Sequence, residues 1–271
     1  MESNVEIENL TVFGGNGKGG VPEAVERVDF RMGQVISIVG PTGSGKTTLI
    51  NDLELFANAN TPSGRRVLIN GEPPSEELMM DPSRRPIAQI TQHTNFLCDL
   101  GVQVFLTTHG AVRGKADPGS VVAETLDFAN QLTGEAIDPS SAMTELSGGQ
   151  TRALLIADAV VIGNSPIILL DEIENAGIHR THALGLLKQY EKIFIFVTHD
   201  PRIALLSDFR IVMRNGAMQK VIETGQEEKR VVEEIIKMDD LLLEFRTHIR
   251  DGGELSEALL EDRLRALGYI E

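Results

Sequence analysis

Gly40 to Thr48 reads GPTGSGKTT and follows directly on QVISIV, Gln34 to Val39, a β-branched apolar run. The pattern G-x-x-x-x-G-K-[ST], placed after a strand and before a helix, is that of a loop that wraps a phosphate. Its glycines let the backbone close around the anion, and the amide N–H groups and the start of the next helix supply positive potential. Lys46 adds a point charge, and Thr47 carries the hydroxyl that ligates Mg²⁺ in such loops. A chance glycine-rich turn is the competing reading, and the strand before and the helix after weigh against it. On this reading the fold class is α/β, with a P-loop at its centre.

Outward from this loop, Ile87 to Thr91, SPIILLD (Ser165–Asp171) and KIFIFVTHD (Lys192–Asp200) are short apolar runs, each followed by a loop or helical segment. That alternation predicts parallel strands covered on both faces. Val5 to Val12 and Arg66 to Asn70 read as strands of an N-terminal antiparallel part. Between them GGNGKGG, Gly14 to Gly20, reads as a mobile hairpin loop. From Leu97 to Glu145 the strand signal disappears and Val121 to Leu132 carries helical spacing, which predicts a helical subdomain at about residues 93–160. FRIVMRNGAMQKVIETG predicts two strands about Asn215-Gly216. From Gln226, Val232, Ile235, Ile236, Leu242, Leu243, Phe245 and Ile249, then an Asp-Gly-Gly break and Leu255 to Leu267, predict two amphipathic helices turned back on each other. The expected division is 1–225 for the P-loop domain and 226–271 for a helical extension.

Forty acids against twenty-five Lys and Arg give the 271 residues a formal charge of −15. Such a field repels phosphate backbones, so nucleic acid is not the expected partner. A single cysteine, Cys98, excludes an internal disulfide and a cysteine-built metal site and fits a reducing compartment. MESNVEIENL has no apolar stretch of the signal-peptide kind, and no run approaches the ~20 apolar residues that span a bilayer. The expected location is cytoplasmic, peripheral to a membrane at most.

Two further constellations carry chemistry. Asp171 and Glu172 end the apolar run IILL, with Glu174 two places on. In a P-loop fold an acid at the end of a neighbouring strand holds magnesium, and the next carboxylate can polarise the attacking water. Helix capping is the competing, less favoured reading of Asp171 taken alone. LSGGQ, Leu146 to Gln150, offers a serine and two glycines at the start of a helix, a second backbone anion site. One nucleotide does not need two cradles, so the second is expected to serve a nucleotide bound to another subunit.

With these motifs in order, the chain resembles an ATP-binding cassette (ABC) ATPase: GPTGSGKTT as Walker A, LSGGQ as signature, IILLDE as Walker B and a histidine in FVTHD. The resemblance covers Ile7 to about Thr224 and implies an antiparallel β subdomain and an α-helical subdomain around a mixed sheet. It implies that Gly40, Gly43, Ser44, Gly45, Lys46, Thr47 and Thr48 bind the phosphates of ATP. Mg²⁺ falls to Thr47, Gln92 and Asp171. Glu172 is implied as general base, and His199 and Gln92 as catalytic partners at the γ-phosphate. Ser147, Gly148 and Gly149 would close on the ATP of a second subunit in a head-to-tail homodimer. Phe13 stands where the family puts an aromatic under adenine, a core phenylalanine being the other reading.

The chain departs from the pattern after the acid pair. Ile173 to His179 replaces the Pro-Thr-Ser-Ala-Leu-Asp common in transporter cassettes, and Ile178 stands for the aspartate that helps couple the two sites. Asp158 stands where an arginine is common. The function implied is an ATP-hydrolysing motor for a separate membrane permease. The alternative is a soluble ATPase acting on a protein or cofactor-assembly partner, towards which Ile173, Gly177 and Ile178 lean.

Overall fold

The computed structural model describes residues 7–80, 85–91, 93–133, 135–171 and 180–270; Gln92 and Glu172 to His179 lie outside them. Two compact units divide at Glu223 and Thr224.

The larger unit is built on a six-stranded sheet in the order β5-β6-β7-β3-β8-β9. These strands are β3 (Val35–Val39), β5 (Ile87–Ile90), β6 (Ile167–Asp171), β7 (Ile193–Val197), β8 (Phe209–Arg214) and β9 (Ala217–Glu223). The first five in that order are parallel, and β9 returns antiparallel through Asn215 and Gly216, both at positive φ. A second sheet, β2-β1-β4, is antiparallel: β1 (Asn9–Phe13), β2 (Arg27–Arg31) and β4 (Arg66–Ile69). β2 is an addition to the strands foreseen from sequence, since three charges in RVDFR mask its two buried residues, Val28 and Phe30.

The helices of this unit are α1 (Lys46–Glu54), α2 (Glu76–Met80), α3 (Val102–Val112), α4 (Pro118–Leu132), α5 (Gly148–Ala157), α6 (Arg180–Leu187) and α7 (Pro201–Leu206). α5 runs on into a π-turn at Asp158–Ile162. α4 starts where it does because Asp117 accepts hydrogen bonds from Gly119 and Ser120 N–H and Pro118 holds the first helical position.

Alternation along the strands divides the core into two. Ile36, Ile38, Ile167, Leu169, Ile193 and Ile195 pack with α1 and the antiparallel sheet. Ile168, Leu170, Phe194 and Phe196 pack with α3, α4, α5 and α6. The helix after the phosphate loop and the helix after LSGGQ are therefore on opposite faces of one sheet. Each of these strand side chains is at most 2% exposed, which reflects a sheet covered on both sides.

The smaller unit is a helical hairpin of α8 (Gln226–Arg250) and α9 (Glu257–Ala266). Ser256 caps α9 by accepting from Leu259 N–H, and Arg263 to Glu244 at 2.6 Å and Tyr269 Oη to Glu234 at 2.9 Å tie the two helices together. Among the described residues no helix is long and apolar enough to cross a membrane.

Candidate functional site

β3 ends at Val39, and the chain turns through Gly40 to Gly45 into α1. Gly45, at φ +99°, is the N-terminal cap; a Cβ there would lie 2.6 Å from Gly216 Cα, so only glycine lets the loop close on the β8–β9 tip. Gly45 offers no side-chain cap, and the first amides of α1 stay open towards the loop. Ser44 is buried, and among the described residues its Oγ has no hydrogen-bond partner. Thr47 and Thr48 are exposed at the start of the helix.

Lys46 is buried, and its Nζ donates to Gly40 O at 2.9 Å and Pro41 O at 3.3 Å. It also lies 3.3 Å from His199 Nε2. With an ammonium as donor, that ring nitrogen presents its lone pair and the imidazole carries its proton on Nδ1. Two residues that are 153 positions apart are thus joined at one point of the phosphate loop.

The reason lies in strand order. β7 is next to β3, and Thr198 N–H donates to Ile38 O at 3.2 Å, so the chain leaving β7 runs beside the chain entering the loop. Asp200 N–H then donates to Thr198 Oγ1 at 2.9 Å. The Asp200 carboxylate caps α7 and holds Arg202 in a paired contact of 2.6 and 3.0 Å. Thr198, Asp200 and Arg202 are buried while His199 is exposed, a fixed frame presenting one imidazole. Asp171 ends β6 opposite Val197, which places it at the same end of the sheet.

Ser147 is the N-cap of α5: its Oγ accepts from Gln150 N–H at 3.3 Å and Gln150 Oε1 accepts from Ser147 N–H at 2.9 Å. Ser147 and Gly148 are exposed. Because α5 and α1 cover opposite faces, this second cradle is no part of the loop that holds Lys46. Phe13 lies in register with Arg27 and Arg66, whose guanidinium carbons stand 5.7 and 5.1 Å from its ring centroid. Its ring is thus half-buried between two cations rather than in the core.

A network under the site was not foreseen from sequence. Arg65 has no exposed surface and donates to Glu23 through Nε at 3.0 Å and Nη2 at 2.6 Å, to Asp52 through Nη1 at 2.8 Å, and to Gly216 O at 2.9 Å. Glu23 also accepts from Gly15 and Met218 N–H. Burial works against the guanidinium charge, but Glu23 and Asp52 outweigh it and raise the arginine above its ordinary pKa. Asp52 belongs to α1, so the network fastens the phosphate-loop helix to Gly15 and to the β8–β9 tip. Only its three-dimensional closure reveals it, since Glu23, Asp52 and Arg65 show no motif spacing. The GGNGKGG segment, expected to be mobile, is instead pinned: Asn16 N–H donates to Ser63 O, Gly17 N–H to Val21 O and Lys18 N–H to Asn215 O.

Open helix amides, the unpartnered Ser44 Oγ and the Lys46 ammonium fit a polyphosphate. The Thr47 hydroxyl and Asp171 carboxylate are hard oxygen donors of the kind Mg²⁺ takes beside phosphate oxygens. Gln92 and Glu172, expected at this site, lie outside the described residues.

A family model described as "ABC transporter" matches residues 26–175. An uncharacterized ABC transporter ATP-binding protein of Methanocaldococcus jannaschii is 49% identical over 252 residues, covering 93% of this chain and 96% of the relative. Among solved structures, cbiO1 of Clostridium perfringens, part of the ABC transporter complex cbiONQ, is 25% identical with a TM-score of 0.62. It aligns over 91% of this chain and 100% of its own. An ATP-binding cassette in a dimeric post-hydrolysis state with ADP and Pi shares the fold, with a TM-score of 0.58 at 20% identity over 80% of this chain and 99% of that one.

Proposed function

The chain belongs to the ABC transporter family as an ATP-binding subunit, and from that premise we propose that it hydrolyses ATP with Mg²⁺ at two composite sites of a head-to-tail dimer and drives a separate permease. The observation that carries this reading is the Lys46–His199 contact at the phosphate loop, with a second anion cradle on the opposite face of the sheet.

In this reading Lys46, the α1 amides and the Ser44 hydroxyl take the phosphate oxygens, and Gly40 and Gly43 let the backbone approach. Thr47, Asp171 and Gln92 would hold Mg²⁺, which would supply positive charge to the phosphates when bound. Glu172 accepts a proton from the attacking water and orients it. His199 donates to the γ-phosphate and steadies that water, and Ser147, Gly148 and Gly149 of the partner subunit close the other side. Catalysis of this kind is positioning and charge stabilisation, which suits a site made of fixed amides and cations.

Support for the dimer comes from the shared fold with a cassette captured as one. Support for a permease comes from similarity to a component of a transporter complex and from family membership, which favour transport over the soluble assembly role. Leu97, Leu100 and Val104 expose apolar side chains at the entry to and on α3, a docking face for such a partner. Action at the cytoplasmic face of a membrane follows from this role.

Glu172→Gln tests the chemistry: ATPase turnover should vanish while ATP-bound dimer accumulates on size-exclusion chromatography. Surviving turnover would move the base elsewhere. Purification from native membranes tests the permease, since a stable complex free of any polytopic subunit would contradict it.

A further inference from the structure

We propose that Lys18 is a second cation of the phosphate site, contacting the polyphosphate of the bound nucleotide from the loop that follows β1. This rests on the ATP-binding reading above. Three backbone segments are stacked here with glycines where side chains would not fit. Gly45 closes on Gly216, whose N–H donates to Ser44 O at 2.8 Å. A Cβ on Gly216 would stand 3.0 Å from Lys18 N, and one on Gly17 2.8 Å from Ala217 Cβ. Lys18 N–H donates to Asn215 O at 2.7 Å, which fixes its Cα beside the phosphate loop.

From that anchor the side chain crosses to the loop itself, and Nζ donates to Gly43 O at 3.0 Å. Both Lys18 and Gly43 are exposed, so the ammonium stands at the mouth of the loop rather than beneath it. In a chain of net charge −15 an exposed lysine finds an acid easily, yet among the described residues Lys18 has no carboxylate within ion-pair distance. A neutral carbonyl is a weaker partner than a phosphate oxygen, and the four-carbon stem lets Nζ exchange one for the other. The Arg65–Glu23 network holds this loop from below by binding Gly15 N–H and Gly216 O, which keeps Lys18 in register with Gly43.

The test is affinity of the full chain for ATP and for inorganic tripolyphosphate, each with Mg²⁺, in wild type and in Lys18→Ala, Lys18→Gln and Lys18→Arg. Lys18 is exposed, so these substitutions leave the core intact. Loss of a charge-assisted contact should weaken both ligands about tenfold in Lys18→Ala and Lys18→Gln, and the loss should shrink as salt rises. Lys18→Arg should retain most of the affinity. Unchanged affinity in Lys18→Ala overturns the proposal, as does wild-type affinity in Lys18→Gln, which would assign the effect to the Gly43 hydrogen bond instead of the charge. Weakening confined to ATP overturns it too, by moving the contact to base or ribose. A folded wild-type chain that binds neither ligand would sink the ATP reading itself, a result distinct from all the others.

Discussion

At the scale of single residues, the Lys46–His199 contact joins two motifs that lie far apart in sequence. If His199 acts at the γ-phosphate as proposed, its replacement with alanine should lower kcat about 100-fold with a smaller change in KM, measured by steady-state ATPase kinetics. Lys192 gives a pH test remote from this site. It is buried, with Nζ donating to Asn164 Oδ1 and Ser165 O at 3.0 Å, and burial, aided by the like charge of Lys115, pulls its pKa from 10.5 to about 8. Between pH ~8 and ~10.5 the unfolded chain holds this proton and the folded chain does not, so the group adds stability as pH rises through that window. Wild type should therefore gain on Lys192→Met in urea midpoint across that range. The residues of the motifs were legible because phosphate chemistry demands fixed types at fixed spacing. Lys18, Glu23 and Arg65 were not, because nothing local distinguishes them from surface charges.

At the scale of elements, the parallel strands were legible as continuous apolar runs, and the Asn215-Gly216 turn as a pair suited to positive φ. The Gly14–Gly20 loop misled because glycine content signals freedom only when no neighbour holds the backbone. Here Ser63, Asn215 and Glu23 hold it. Arg65→Met would leave Glu23 and Asp52 as buried carboxylates without their cation, a loss of about 3–5 kcal/mol. Denaturant unfolding should show that loss, and ATP affinity in the folded fraction should fall as the loop loosens. Gly45→Ala should cost stability as well as weaken ATP binding, since the added methyl meets the Gly216 backbone at 2.6 Å at a positive φ and opens the loop. Isothermal titration would separate the two effects.

At the scale of the whole molecule, the unit ending at Glu223 contains both core clusters and the described site residues, while α8 and α9 form a unit of their own. Truncation after Glu223 should leave a cooperatively melting protein that still binds ATP, as thermal denaturation with and without nucleotide would report. The hairpin was legible from its apolar spacing. Met238, Leu242, Leu243 and Ile249 are exposed on α8. The placement of the phosphate-loop helix and the LSGGQ helix on opposite faces of one sheet has a genetic corollary. If the sites are composite as proposed, a chain lacking Lys46 can still lend its serine cradle, and a chain with a ruined cradle can still lend its lysine. Two alleles that are each inactive alone, Lys46→Ala and Ser147→Arg, should complement when co-expressed, because half of their mixed pairs' sites are assembled entirely from sound parts.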